Sequence, residues 1–351
     1  MNVGVLTFHK CINYGSYWQA RCMVEALRKR GHRAELLDHD CKCVRRAEVR
    51  CALQPKLPER TPRNEIRTYA KKTRRFIGAI ADLPLSRSFS LHEPETVGEY
   101  DAILVGSDEV WNFRHPWYGS EPIFFGDGLK AGRLVSYAAS FGNHSAWDGI
   151  HPAWARKLKR FSSISVRDQN SWHLVRAGTN HEPELVLDPC LLFPQAVQVG
   201  QERSDPYAII YGYDFPSWLK RLARNWSRKT GIQLISVGYS NDFADKQKIA
   251  IGPLEFARMM AGTAAVITNF FHGCIFSLLN GKPWTSVPSD YRSIKIPDLA
   301  ATLGTKHRIL SAEADARMFE ELMETPIEPF VEARIGDLRS RSEAYLDAAL
   351  A

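Results

Sequence analysis

A histidine and a glycine stand together where a predicted strand passes into a predicted helix, in the run Thr268-Asn269-Phe270-Phe271-His272-Gly273. A side chain at the end of a parallel strand can reach a ligand crevice, and the first N–H groups of a helix attract anions. His272 is therefore a candidate general acid, and Gly273 a candidate backbone donor to an anionic substrate. The alternative for His272 is a histidine that serves only the fold.

Cations follow other predicted strands and could bind the same anion. Arg167 ends the apolar run 163–166, where its guanidinium could make a bidentate contact with a carboxylate or a phosphate. The alternative is an ion pair between Arg167 and Asp168 or another neighbour. Arg292 follows the strand predicted over 284–287, and Lys295 is the other cation there that could bind the anion. The alternative for each is an ordinary solvated cation.

Two carboxylates and two aromatic residues lie in the loops after further predicted strands. Asp108 and Glu109 follow the strand predicted over 100–106, and either could orient hydroxyl groups or act as a base. Capping of the next turn is the alternative for Asp108. Trp111 and Tyr137 could stack on a sugar face, although burial in the core is the commoner role of such side chains.

Strands and helices alternate along most of the chain, which predicts an α/β fold with two Rossmann-like domains facing a central cleft. The first helix is expected to run from a Ser16 cap to Arg30, and Asp188-Pro189 is interpreted as a turn. The predicted parts are an N-terminal domain at 1–200 with a basic insertion at 41–95, a C-terminal domain at 201–312, and a helical segment at 313–351 with Met318, Phe319, Leu322 and Met323 on one face.

The positive charge of the chain is local. The net charge is +7, yet residues 41–80 alone carry twelve Lys and Arg against three Glu, so the remainder is about neutral. Only Tyr69 and Phe76 are aromatic in that stretch, which disfavours base stacking, and no nucleic-acid partner is expected. Peripheral attachment to an anionic membrane through residues 41–80 and a merely solvated helix face are the remaining alternatives.

The beginning of the sequence lacks the basic segment and the apolar stretch of a secretory signal. Apolar runs are far shorter than the roughly 20 residues that span a bilayer. These features predict a cytoplasmic protein, at the inner face of the membrane if the basic segment attaches there.

The seven cysteines are odd in number and scattered, which favours reduced thiols. Cys41, Cys43 and Cys51 lie close together and His39 is near, but no fourth ligand follows at the spacing of a zinc finger. We therefore predict no metal.

Six segments, taken in order, resemble the polysaccharide pyruvyltransferase family from residue 2 to about residue 300. Besides the run ending in Gly273 they are Thr7-Phe8-His9…Asn13-Tyr14-Gly15…Gln19-Ala20, Gly106-Ser107-Asp108-Glu109-Val110-Trp111-Asn112, Ser136-Tyr137-Ala138-Ala139-Ser140-Phe141-Gly142, Ser165-Val166-Arg167-Asp168 and Val186-Leu187-Asp188-Pro189.

The resemblance implies a glycosyltransferase-B-like fold and transfer of a pyruvyl group from phosphoenolpyruvate to sugar hydroxyls, with formation of a ketal. Phosphoenolpyruvate would be a co-substrate, no further cofactor is implied, and the acceptor would be a sugar or a lipid-linked glycan. The implied residues are His272, Arg167 and Asp108 for catalysis, Arg167, His272, Gly273, Arg292 and Lys295 for the donor, and Asn13, Tyr14, Gly15, Glu109, Trp111 and Tyr137 for the acceptor.

One departure from the family pattern matters, because Asn269 stands where the family usually has Asp. An Asp could raise the pKa of His272, which an Asn cannot do. Two rival functions therefore stay open. One is a glycosyltransferase of the same architecture that uses a nucleotide sugar, and the other is a non-catalytic member that binds an anion or a glycan.

Overall fold

The computed structural model describes residues 1–179, 181–197, 205–287, 289 and 293–351. Within it the chain forms two compact units. The first unit comprises Met1–Glu48, Ile80–Val197 and Ile335–Ala351, and the second comprises Val49–Ala79 and Gln198–Arg334. Part of the predicted basic insertion thus belongs to the second unit, and the end of the chain belongs to the first. The domain boundaries near residues 200 and 312 stay predictions.

The strands and helices follow the alternation expected from the sequence. The strands are β1 (Asn2–Leu6), β2 (Arg33–Leu36), β3 (His39–Asp40), β4 (Phe89–Ser90), β5 (Tyr100–Val105), β6 (Ala131–Ser136), β7 (Ser165–Val166), β8 (Glu184–Leu185), β9 (Tyr207–Tyr211), β10 (Gln233–Val237), β11 (Lys246–Lys248), β12 (Ala265–Thr268) and β13 (Trp284–Ser286). The helices are α1 (Tyr14–Lys29), α2 (Lys42–Leu53), α3 (Arg63–Ala81), α4 (Pro152–Leu158), α5 (Gln169–Thr179), α6 (Pro189–Leu192), α7 (Ser217–Thr230), α8 (Pro253–Gly262), α9 (Phe271–Leu279), α10 (Lys295–Leu303), α11 (Ala316–Glu324) and α12 (Pro329–Leu350).

A four-stranded parallel sheet in the order β2-β1-β5-β6 forms the centre of the first unit. Val3, Val5 and Leu6 of β1 are completely buried, as expected for a parallel strand covered on both faces. The strand order reverses between β1 and β5. The loops that follow these two strands therefore flank the crevice in which such sheets bind ligands.

The second unit contains a five-stranded parallel sheet in the order β11-β10-β9-β12-β13. Its strand order reverses between β9 and β12, so residues 212–216 and 269–270 flank the corresponding crevice. The apolar cores of both units pack against their own sheets. None of the described helices combines the length and the apolar character needed to cross a bilayer.

Several details differ from the sequence prediction. Asn13, rather than Ser16, caps α1, because its Oδ1 accepts hydrogen bonds from the N–H groups of Gly15 at 2.8 Å and Ser16 at 3.4 Å. The predicted C-terminal helix is two helices, α11 and α12, separated by the segment that contains Pro326. On α11, Phe319, Leu322 and Met323 are buried, but Met318 is 49% exposed.

Candidate active site

A buried ion-pair cluster joins the loop after β5 to the segments that follow β7 and β8, two strands that pair in parallel. Arg167, which follows β7, donates from Nη1 to the Asp188 carboxylate at 3.0 Å and from Nη2 to the Asp108 carboxylate at 3.2 Å. The Arg167 side chain is 2% exposed. Burial acts to lower its pKa, but Asp108 and Asp188 outweigh burial and raise it. The guanidinium is therefore a permanent cation held between two carboxylates.

Asp108 connects this cluster to the start of α1. Its Oδ2 accepts a hydrogen bond from Ser16 Oγ at 2.6 Å, and its Oδ1 accepts one from the Glu109 N–H at 2.9 Å. Its backbone φ of 78° is in the left-handed region, which Asp tolerates better than most residues. Thr7 Oγ1 donates to the Ser107 carbonyl at 2.8 Å, so polar contacts join the loops after β1 and β5.

The expected acceptor residues occupy different environments. Asn13 and Gly15 lie at the start of α1, close to the Asp108 contact, whereas the Tyr14 side chain is fully buried. Glu109 is buried, and its Oε2 accepts a hydrogen bond from Asn112 Nδ2 at 2.7 Å.

The predicted stacking role of Trp111 and Tyr137 needs correction. Both side chains are 0% exposed. The Trp111 indole donates to the Phe124 carbonyl at 2.8 Å, and the Tyr137 hydroxyl donates to the Leu187 carbonyl at 2.9 Å. Their polar atoms are thus satisfied inside the core and their rings are covered, which gives both residues a packing role.

A second polar cluster follows β1 and β2 and was not predicted from the sequence. Asp38 contacts His9 Nε2 at 3.2 Å and Lys10 Nζ at 2.8 Å, and His39 Nε2 contacts the Thr7 carbonyl at 3.0 Å. Burial alone would raise the pKa of Asp38, but hydrogen bonds from His9 and Lys10 hold it well below its usual value. Burial lowers the pKa of His39 to about 3, so this ring is neutral at physiological pH.

His272 is the second residue of α9, directly after β12 at the reversal point of the second sheet. It is 8% exposed and its ring stands nearly perpendicular to that of Phe271. The role predicted for Gly273 needs correction, since its N–H donates to the Phe270 carbonyl at 2.9 Å. A Cβ at Gly273 would collide with the Thr268 hydroxyl, so close packing against β12 explains this glycine.

Asn269 lies at the same reversal point. Its Nδ2 donates to the Tyr213 carbonyl at 2.6 Å, which joins the loops after β12 and β9. Gly212, with φ of 146°, approaches so closely that a Cβ there would collide with Asn269 Oδ1. That oxygen is buried and has no hydrogen-bond partner among the described residues. The hydrogen bond from Nδ2 and the close approach of Gly212 to Oδ1 therefore hold the Asn269 side chain in one orientation.

Lys295 is the first residue of α10 and is 5% exposed. The α10 helix begins beyond β13, which is the neighbour of β12 in the sheet. His272 and Lys295 thus stand at the N-termini of helices that follow two adjacent parallel strands. Arg292, the other predicted donor ligand, lies outside the described residues.

A family model described as polysaccharide pyruvyl transferase matches residues 13–291, about four fifths of the chain. The chain belongs to the polysaccharide pyruvyl transferase family. The resemblance predicted from the six segments is confirmed, and the matched range contains Asp108, Arg167, Asn269 and His272. No curated protein matches the sequence of this family member.

Solved structures of distant proteins share the fold of this pyruvyl transferase family member. The UDP-GlcNAc 2-epimerase from Neisseria meningitidis bound to UDP-GlcNAc has a TM-score of 0.51 and 11% identity, with 99% of each chain covered. The UDP-GlcNAc 2-epimerase from Methanocaldococcus jannaschii has a TM-score of 0.52 and 9% identity, over 98% of this chain and all of the other. These similarities confirm the glycosyltransferase-B-like fold class.

Asp188 is the most important site residue that the sequence analysis did not identify, because it was interpreted as part of a turn. It does cap α6, since its Oδ1 accepts a hydrogen bond from the Cys190 N–H at 3.0 Å, but its other oxygen binds Arg167. The available signal was its position: an acid directly after the strand predicted at 185–187 lies at the same sheet edge as Asp108 and Arg167.

Proposed function

We propose that this protein transfers a pyruvyl group from phosphoenolpyruvate to two hydroxyls of a glycan or glycan precursor, with formation of a pyruvate ketal. Family membership supports a transferase of this class. The observation that carries the donor assignment is the placement of His272 and Lys295 at the starts of α9 and α10, after adjacent strands. Helix N-termini with a cation beside them suit a ligand that carries both a phosphate and a carboxylate.

In this proposal His272 delivers a proton to the methylene carbon of phosphoenolpyruvate. The central carbon then becomes electrophilic, a sugar hydroxyl attacks it, and that hydroxyl loses its proton. Departure of inorganic phosphate and attack by a second hydroxyl close the ketal. The bonds balance: one C–H bond, two C–O bonds and one O–H bond on phosphate form, and the π bond of the C=C group, the C–O bond to phosphate and two O–H bonds break. One hydroxyl proton replaces the proton that His272 delivers, and the other leaves with the phosphate. Lys295 would stabilise the charge on the departing phosphate.

The first unit would bind the acceptor in the crevice between the loops after β1 and β5. The Asp108 carboxylate is held by Ser16 and Arg167, which suits it to accept hydrogen bonds from sugar hydroxyls. Asn13 and Glu109 lie in the same loops and would contribute further polar contacts. Because both terminal nitrogens of Arg167 already bind carboxylates, we assign Arg167 as a positioning residue for Asp108 and Asp188.

Titration calorimetry of the donor tests this assignment. Phosphoenolpyruvate should bind, and a panel of nucleotide sugars should not. The variants His272→Gln and Lys295→Gln should each weaken phosphoenolpyruvate binding about 10-fold or more, the loss expected for a charge-assisted contact. The exposed residues His173 and Lys248 provide matched controls, as His173→Gln and Lys248→Gln should bind like the unmodified protein. Binding of a nucleotide sugar without phosphoenolpyruvate would instead establish the glycosyltransferase rival.

We also propose that the basic segment attaches the protein to an anionic membrane surface that displays the acceptor. On α3, the exposed residues Arg63, Arg67, Lys71 and Arg74 recur every three or four positions and form one stripe. We call this set the α3 stripe. Ile77, 54% exposed, continues the same helix and could enter the headgroup region. Attachment of this kind needs no membrane-spanning helix.

A further inference from the structure

Two cysteines and a histidine of the first unit converge at its surface. The ligand atoms of Cys41, Cys43 and His92 all lie within 4.8 Å of one another. Cys41 Sγ is 3.6 Å from His92 Nε2. Thiolates and imidazole are the ligands that zinc prefers.

Paired backbone strands hold these side chains together. β3 and β4 are parallel, with His39 opposite Phe89 and Asp40 opposite Ser90. The next backbone hydrogen bond, from Leu91 N–H to the Asp40 carbonyl at 2.8 Å, carries the pairing one step further. Cys41 and His92 therefore emerge from the same end of the pair, although 51 positions separate them in the sequence. The start of α2 brings Cys43 to the same side.

We propose that Cys41, Cys43 and His92 form a zinc-binding site. With Zn–S of about 2.3 Å and Zn–N of about 2.05 Å, tetrahedral coordination separates a sulfur from a nitrogen ligand by about 3.6 Å and two sulfurs by about 3.8 Å. The observed distance between Cys41 Sγ and His92 Nε2 equals the first value, and the 4.8 Å limit on the whole group accommodates the second. The three ligand atoms are therefore close enough together for one zinc ion to contact all of them.

Glu121 supports the site from behind His92. Its Oε2 lies 3.8 Å from His92 Nδ1, the ring nitrogen that does not face Cys41. A carboxylate next to the outer nitrogen of a metal-binding histidine fixes its tautomer and increases its basicity. The Glu121 side chain is only 20% exposed.

Three protein ligands leave one coordination position, and two of those ligands, Cys41 and His92, line a surface pocket of about 450 Å³. Asp40 lines this pocket, but its carboxylate already pairs with Arg45 at 3.0 Å and lies 3.8 Å from Lys10. Water or a small anion is therefore the fourth ligand.

The proposed ligand set differs from the grouping considered in the sequence. Cys51 lies at the far end of α2, and His39 directs Nε2 to the Thr7 carbonyl. His92 replaces both, and only the pairing of β3 with β4 reveals it. This site lies in the first unit and does not depend on the proposed pyruvyl transfer.

Metal titration of the untagged, full-length protein under reducing conditions tests the site. After removal of metals with a chelator, one equivalent of Co²⁺ should produce the visible absorption bands of tetrahedral cobalt with thiolate ligands. Zn²⁺ should displace it, and competition with a chromophoric chelator should yield the zinc affinity. Cys41→Ser, Cys43→Ser and His92→Gln should each remove the one-equivalent binding, and Glu121→Gln should weaken it about 10-fold.

Cys51→Ser is the matched control, because it removes an exposed thiol from the same helix and should change neither the spectrum nor the affinity. Far-ultraviolet circular dichroism should show that every variant is folded, as expected for side chains at the surface. Absence of the tetrahedral cobalt spectrum in the unmodified protein would overturn the proposal. Equal loss of binding in Cys51→Ser, or a Cys41–Cys43 disulfide that persists under reducing conditions, would also overturn it.

Discussion

The Arg167 guanidinium forms ion pairs with both Asp108 and Asp188. Replacement of Arg167 would therefore leave both carboxylates without their cation. An Arg167 that faced a ligand, one of the two roles considered from the sequence, could be replaced by Ala without loss of the fold. The side chain is instead buried between two carboxylates that need it. Its role in the site cannot be separated from its role in the fold.

We expect Arg167→Ala to lower the free energy of unfolding by about 3–5 kcal/mol, because it leaves two buried carboxylates without their cation. Urea denaturation measures the change. Arg176→Ala is the control, since Arg176 also forms an ion pair but is 58% exposed, and such pairs contribute about 0–1 kcal/mol. A loss below about 1 kcal/mol for Arg167→Ala would contradict the proposed energetic role.

Asn269 stands where the family resemblance led us to expect Asp, and its contacts predict the effect of introducing Asp. Asn269→Asp replaces the donor Nδ2 by an oxygen that faces the Tyr213 carbonyl, which is 2.6 Å away. We expect a loss of about 1–3 kcal/mol in the free energy of unfolding, the usual cost of a buried hydrogen bond converted into an unpaired contact. Asn225→Asp, at an exposed position of α7, should change stability little. Undiminished stability of Asn269→Asp would show that the crevice accommodates a carboxylate at this position.

At the scale of elements, α3 shows why a charge pattern does not identify the buried face of a helix. Most of the cations of this helix are exposed. Lys72, however, is 2% exposed, donates to the Gly238 carbonyl at 2.9 Å and lies 4.1 Å from the centre of the Tyr239 ring. Tyr69, on the same face, accepts a hydrogen bond from the Ser240 N–H at 3.0 Å.

Burial lowers the pKa of Lys72 from 10.5 to about 7, although Cys51 acts in the opposite direction. Between these two values the unfolded chain binds a proton that the folded protein does not bind. Stability contributed by Lys72 is therefore present above the unfolded pKa and is lost as pH falls towards about 7.

Urea denaturation at several pH values between about 7 and about 10 should show this slope, up to about 1.4 kcal/mol per pH unit. Lys72→Met should reduce the slope, because the titrating group is gone. Lys71→Met, which removes the exposed neighbour, should retain it. Identical pH dependence in the two variants would contradict the assignment of this slope to Lys72.

Elements with strong apolar periodicity and clear ends were predictable. The sequence pattern predicts strands at 207–211 and 233–237 and helices at 217–230 and 253–262, and β9, β10, α7 and α8 have these bounds. In contrast, α2 was missed because only Val44 and Glu48 of it are buried, so its pattern contains little apolar signal. The sequence also gave no local sign that Trp111 is enclosed by Phe125, Phe141 and Phe161, since these contacts come from distant parts of the chain.

At the scale of the whole molecule, the fold class and the family were predictable from the sequence. The six segments of the family resemblance occur in a fixed order along the chain, and most of them follow predicted strands. Residues 49–79 are different: they interrupt the first unit along the chain but belong to the second. Chain order cannot reveal this, because it depends on contacts of α3 with residues more than 160 positions away.

The α3 stripe predicts salt-dependent binding to anionic vesicles and little binding to neutral ones. Each cation near such a surface contributes about 1 kcal/mol, so the triple variant Arg67→Gln, Lys71→Gln, Arg74→Gln should bind about 100-fold more weakly. Arg221→Gln, Arg228→Gln, Lys229→Gln removes the same charge from exposed positions of α7 and is the control in a vesicle sedimentation assay. Equal losses for the two triple variants would indicate that net charge, rather than the α3 stripe, drives the association.

The most direct test of the proposed transfer is product analysis after incubation with phosphoenolpyruvate and a panel of glycans and lipid-linked glycan precursors. We predict that phosphate is released only when an acceptor is present. Nuclear magnetic resonance of the product should then show a new methyl group on a ketal carbon bonded to two sugar oxygens, and His272→Gln should abolish its formation. A methylene signal from an enolpyruvyl ether, or transfer of a sugar from a nucleotide sugar in place of pyruvyl transfer, would contradict the account.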